Sequence, residues 1–181
     1  MNSSINDRAV AVNNKSSVYA WYVVLLCMLA YIFSFIDRQI LALMIEPIKA
    51  DLNLSDTQFS LLHGLAFSLF YAFMGLPLAY LADRFSRPKI IAVGIIFWSI
   101  ATALCGLSKN FIQLFFSRMG VGVGEAALSP AAYSMFSDMF SKDKLGRAVA
   151  VYSIGSFVGG GIAFLVGGYV IEIGRASCRE R

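Results

Sequence analysis

Four stretches of this 181-residue chain stay free of charge for long enough to cross a lipid bilayer. They are residues 16–36, 57–82, 90–108 and 148–171, or 21, 26, 19 and 24 residues. A helix rises about 1.5 Å per residue, so roughly 18–20 apolar residues cross about 30 Å of hydrocarbon. Backbone groups in lipid must pair internally, which leaves helices or closed barrels. The alternation of a barrel strand is absent, so the stretches are expected to be helices. Composition agrees: charged residues are 14% of the chain and hydrophobic ones 58%, where a soluble domain carries about 25% charge. So little charge cannot coat a small soluble domain. A soluble monomer, a disordered chain and a disulfide scaffold are thereby excluded.

A fifth stretch, residues 111–137, is apolar but interrupted by Arg118 and Glu125. The expected spans are about 16–43, 57–82, 90–108, 111–137 and 148–171, preceded by a polar tail at 1–15. The first run is too long for a signal peptide and lacks a small-residue cleavage site, so it reads as a retained span. Ser55, Asp56, Thr57 and Gln58 form a capping-box pattern that should start the second span. The N-terminal tail, the 83–89 loop and the 138–147 loop hold two, three and three Lys or Arg; Lys49 and Lys109 stand on the other side. The positive-inside rule then puts the N-terminus in the cytoplasm and the 44–56 loop outside. Residues 173–181, IGRASCRER, resemble a translated sequencing adapter, and the net charge of +4 falls to +2 without them. The native chain is accordingly expected to continue beyond residue 172.

Asp37, Arg38, Arg118 and Glu125 lie inside the spans. An ionisable group at membrane depth is by default functional and paired. Helix rise puts Asp37 about 27 Å from Tyr19, and Arg118 and Glu125 about 10 and 21 Å below the outer surface. Arg118 should therefore meet Asp37 or Arg38 at similar depth, with Glu125 two turns deeper on the face of Arg118. A static salt-bridge clamp would account for such a set. So would a proton carrier, because burial raises a carboxylate's pKa and a neighbouring Arg lowers it.

Other features have plainer readings. Gly120 with Gly124, and Gly155 with Gly159, are small-residue pairs suited to close helix packing. Pro130 should break the fourth span and free the Ala126 carbonyl, so that Ser129 and Tyr133 line a cavity. His63 reads as a packing residue. Phe33, Phe67 and Tyr71 are aromatics of either packing or cavity. Cys27 and Cys105 sit in apolar runs and behave as small hydrophobes. No metal site, cofactor or nucleotide loop is expected. One His and two apolar Cys also argue against a membrane enzyme, and nothing suggests a nucleic-acid partner.

Residues 79–89, AYLADRFSRPK, resemble the signature between the second and third helices of the major facilitator superfamily, with Leu81, Ala82, Asp83, Arg84 and Arg87 matching. Ala79 and Ser86 replace its two glycines. Residues 118–125 resemble the superfamily's Arg-x-x-x-Gly-x-Gly pattern, and FIDR (35–38) with GEAALSPA (124–131) narrows the likeness to the Spinster-like branch. The resemblance covers about residues 16–172. It implies an all-α integral membrane fold: five helices of a six-helix N-terminal bundle, truncated, the C-terminal half of the transporter being absent. It also implies a proton-coupled secondary transporter, working by alternating access, for a small organic anion or an amphiphilic solute. Asp37 and Glu125 would handle protons, Arg38 and Arg118 the solute or charge pair, and Asp83, Arg84 and Arg87 a cytoplasmic gate. Tyr71 joins Ser129 and Tyr133 as a weaker cavity expectation. The setting implied is a bacterial inner membrane, crossed several times. A fragment of this kind is expected to be inactive alone, and a scaffolding membrane protein remains the alternative.

Overall fold

A computed structural model describes residues 2–179, with side-chain surroundings for 17–169. The expected polar tail at 1–15 and the basic end at 173–181 lie outside the described side chains. Among the described residues there is no strand. The helices are α1 (Asn2–Leu43), α2 (Ile45–Leu52), α3 (Asp56–Ser60), α4 (Phe67–Arg84), α5 (Arg87–Gly106), α6 (Phe111–Glu125), α7 (Leu128–Met139) and α8 (Lys142–Arg179). A π-helical turn, Leu61–Ala66, joins α3 to α4.

Among the described residues, four helical segments are long and apolar enough to cross a membrane: Ser17–Leu43, Asp56–Arg84, Arg87–Gly106 and Lys142–Tyr169. The expected span at 111–137 is divided between α6 and α7. Its break lies at Ala126 and Ala127, just upstream of Pro130. Pro130 has no N–H to offer the Ala126 carbonyl. The helix tightens before it, and the Ala127 N–H reaches the Gly124 carbonyl at 3.3 Å. The 44–56 segment, expected outside, is not a plain loop, because α2 occupies most of it and ends on left-handed Asn53. Ser55 and Gln58 close the expected capping box: the Gln58 N–H donates to Ser55 Oγ, and the Ser55 N–H to Gln58 Oε1. The 83–89 and 138–147 loops shrink to short turns at residues 85–86 and 140–141.

Small residues decide which helices touch. A Cβ on Gly159 would come within 2.7 Å of the Ile32 carbonyl oxygen, so α8 lies directly against α1. A Cβ on Gly124 would sit 2.7 Å from Trp98 Cβ, which brings α6 equally close to α5. Both glycine pairs therefore act in packing. Two apolar cores result. One gathers Ala20, Val24, Cys27, Trp98, Leu128, Phe136 and Tyr152; the other, toward the α2 end, gathers Leu41, Phe59, Leu62 and Leu114. On α1, Asp37 and Arg38 lie between Cys27 of the first core and Leu41 of the second. Many large side chains remain exposed, including Phe33, Phe73, Leu76, Phe157 and Leu165. In a chain of this kind they face lipid or further helices.

Candidate functional site

Glu125 is the last residue of α6, where the helix dipole is negative and a carboxylate is disfavoured. Its side chain is fully buried. Both costs require a cation, and α1 provides one. Arg38 Nε and Nη2 reach Glu125 Oε2 at 2.7 and 2.6 Å. Ser34, one helical turn before Arg38, donates its hydroxyl to the same oxygen at 2.7 Å. The guanidinium also stacks near Phe67, Tyr71 and Phe35, 4.6, 4.8 and 5.4 Å from their ring centres. Among the described residues, Glu125 Oε1 has no hydrogen-bond partner despite its burial.

Asp37 follows a different course. It points toward α5, where Thr102 donates its hydroxyl to Asp37 Oδ2 at 2.7 Å. Asp37 and Arg38 are chain neighbours, and consecutive helix residues diverge by about 100°. They therefore enter different surroundings.

Arg118 does not make the expected pairing with Asp37 or Arg38. Among the described residues it forms no salt bridge, and its Nε is buried without a partner. Only 6% of the residue is exposed. It lines two pockets. One, of about 270 Å³, also holds Arg38, Gln39, His63, Phe67 and Ser68. The other, of about 340 Å³, holds Asp37, Asp51, Thr102, Cys105 and Ser108. The ion pair on α6 goes to Glu125, which Arg38 and Ser34 of α1 reach directly. Depth arithmetic measures position along each helix but not the direction in which a side chain leaves it. His63 stacks on Phe59 at 6.1 Å and also lines the smaller pocket, on the π-helical turn.

The cavity expectations divide. Tyr71 packs on Arg38. Ser129 is hydrogen-bonded to the buried Tyr152 hydroxyl at 3.0 Å and serves the core. Tyr133 packs its edge against the same ring and remains partly exposed. Ser134 joins two of the three residues expected to form a gate: Arg87 Nε donates to its oxygen at 3.2 Å, and its hydroxyl donates weakly to Asp83 at 3.4 Å. Arg87 also pairs with Asp138 at 2.7 Å. Arg84 turns away, over the ring of Tyr80.

The sequence reading missed Ser34, Thr102, Ser134 and Tyr152. The four-residue spacing of Ser34 and Arg38 was a usable signal, since such pairs share a helix face. The other three acquire their partners only across helices.

A buried carboxylate–guanidinium pair between α1 and α6, beside a polar pocket, occupies residues that the Major Facilitator Superfamily profile matches, over 27–176. The chain belongs to the major facilitator superfamily. Its relatives in that superfamily include an MFS-type efflux pump from Mycolicibacterium smegmatis, 33% identical over 79% of this chain and 35% of the relative. Protein spinster homolog 1 of Xenopus tropicalis is 33% identical over 84% of this chain and 30% of its own length. A crystal structure of a bacterial homolog of the human lysosomal transporter Spinster, inward-facing and unoccupied, superposes with a TM-score of 0.79 at 44% identity. That match covers 83% of this chain and 32% of the other. The chain thus spans about a third of the length of the superfamily relatives it matches.

Proposed function

We propose that this chain supplies the N-terminal half-site of a proton-coupled secondary transporter for a small organic anion or an amphiphilic solute with an anionic head. The carrying observation is the Arg38–Glu125 pair, a fully buried carboxylate held by one cation beside a pocket that also holds Arg118. A transporter of this kind has two bundles with the solute site between them near the midplane. The partner bundle would come from the remaining two thirds of a protein as long as the relatives. Proton uptake by Glu125 neutralises it and releases Arg38. Arg38 and Arg118 then present two guanidinium groups to an anion, and loss of the proton restores the pair. Alternating access follows if the released and restored states favour opposite openings.

The Asp83, Ser134, Arg87 and Asp138 set ties the inner ends of α4 and α5 to α7. It serves as the cytoplasmic clasp of this half. The N-terminus lies on the same side, in the cytoplasm of a bacterial cell whose inner membrane the chain crosses. Labelling of a cysteine placed at Ser86 by an impermeant reagent outside intact cells would overturn that orientation.

Glu125→Gln tests the central role in a complete transporter that carries this segment. Expected are normal insertion, loss of proton-driven accumulation and retained solute exchange. Failure to insert would favour a static clamp between α1 and α6. Accumulation equal to that of the parent would remove Glu125 from the mechanism.

A further inference from the structure

An apolar groove of about 440 Å³ is bounded by α4, α5 and α6. Leu78, Leu81 and Phe85 line it from α4, and Ile90, Val93 and Phe97 from α5. It shares no lining residue with the pocket of Arg38 and Arg118. Only Ser86 and Lys89 bring polar side chains to it, and both sit where α4 turns into α5. From Ser86 to Phe97 the helix rises about 16 Å. That is the depth of one leaflet, half of a hydrocarbon core of about 30 Å. The charges at the polar end are unequally matched. Arg87 pairs with Asp138, and Asp83 accepts from Ser134. Among the described residues Lys89 and Arg84 form no salt bridge. Lys89 is exposed at the end of the groove, and the Ser86 hydroxyl caps no backbone N–H of α5. A wider groove between α1 and α5, of about 560 Å³, has the opposite character. Its polar side chains are Asp37, Ser99 and Thr102, with no cation.

We propose that the groove between α4 and α5 is a resident site for one anionic phospholipid. An acyl chain lies between Leu81 and Val93, and the phosphate faces Lys89 and the Ser86 hydroxyl. Two matches carry the assignment. The apolar length equals one leaflet, so a chain that fills it leaves its phosphate at the α4–α5 turn. There an unpaired ammonium on a flexible apolar stem reaches the headgroup level, and Arg84 adds to the local positive field. Basic pockets between spans at a membrane surface take phosphate headgroups in this way. The groove ending on Asp37 offers length without a cation, and an anionic lipid gains nothing there. The lipid is held rather than carried. Its site uses none of Asp37, Arg38, Arg118 or Glu125, so the proposal stands or falls apart from the proton-coupled reading.

The test uses a complete transporter carrying this segment, in phosphatidylcholine vesicles containing brominated phosphatidylglycerol or brominated phosphatidylethanolamine. Phe97→Trp places a fluorescent reporter in the groove, and Leu29→Trp places one in the groove that ends on Asp37. The parent's own tryptophan emission is subtracted. Phosphatidylglycerol should quench Phe97→Trp with about fivefold higher apparent affinity than phosphatidylethanolamine, and Lys89→Gln should remove most of that preference. Leu29→Trp should show no preference. Excess glycerol 3-phosphate should leave the quenching unchanged. Equal quenching of Phe97→Trp by the two lipids, or a preference that survives Lys89→Gln, overturns the site. So does the same preference at Leu29→Trp, which would be a property of the whole surface. No quenching by either lipid means that the second bundle covers the groove, and relief by glycerol 3-phosphate means that Lys89 serves a soluble phosphate; both overturn the proposal. Should Phe97→Trp insert poorly, Val93→Trp, at a more exposed position of the same groove, gives the same reading.

Discussion

Two acidic groups of this half-bundle meet opposite fates. Glu125 is fully buried and bound by Arg38 and Ser34, and Arg38 in turn stacks on Phe67 and Tyr71. Asp37 is half-buried, held by one neutral hydroxyl, and opens onto a crevice. Their environments differ because α1 presents residues 37 and 38 to different helices, one to α5 and the other to α4 and α6. Burial in low dielectric makes the first carboxylate depend on its cation, whereas partial exposure lets the second do without one. The lesson is that a buried charge is made costly to move by its surroundings, and that such a cost can hold a conformational state.

The contrast is broken or sharpened by four substitutions, each read from unfolding of the purified chain in detergent. Arg38→Ala has the largest expected effect, a loss of about 3–5 kcal/mol, because Glu125 is left as an unpaired buried charge. A loss comparable to that of an Asp37 substitution would mean that Glu125 is far wetter than its burial indicates. Arg38→Lys should cost about 1–2 kcal/mol even though the charge is kept. An ammonium cannot reproduce the two guanidinium contacts to Glu125 or the stacking on Phe67 and Tyr71. Tyr152→Phe serves as a neutral standard and should lose about 1 kcal/mol with its hydrogen bond to Ser129. Asp37→Asn should lose less than about 1 kcal/mol, since Thr102 can still donate to the amide oxygen and the site is partly solvated. An Asp37→Asn penalty as large as that of Arg38→Ala would erase the distinction between the two faces of α1.

Much of the fold was readable because membrane spans obey a one-dimensional rule. Charge-free runs longer than the hydrocarbon thickness marked four crossing helices, and the interrupted run marked a fifth helical region. Ser55 and Gln58 marked the start of the second span because capping depends on groups only three residues apart. Gly124 and Gly159 marked helix crossings because a missing Cβ is the direct condition for close approach. The break expected from Pro130 falls at Ala126 and Ala127, where the freed carbonyl was expected. A proline disturbs the carbonyl four residues before it, so the change in helix geometry falls upstream.

The sequence by itself determined which ionisable residues lie in the spans, their approximate depth, and the family they belong to. Only the tertiary structure decided that Glu125 takes Arg38, that Asp37 takes Thr102, and that Arg118 Nε takes neither acid. Spacing along one helix establishes a shared face. A partner on another helix depends on crossing angle, on the small residues at the contact, and on the break between α6 and α7. Tyr152 shows the same limit: nothing near it in the chain foretells that its hydroxyl meets Ser129. Local periodicity carries depth and face, while direction toward a neighbour exists only once the helices have packed.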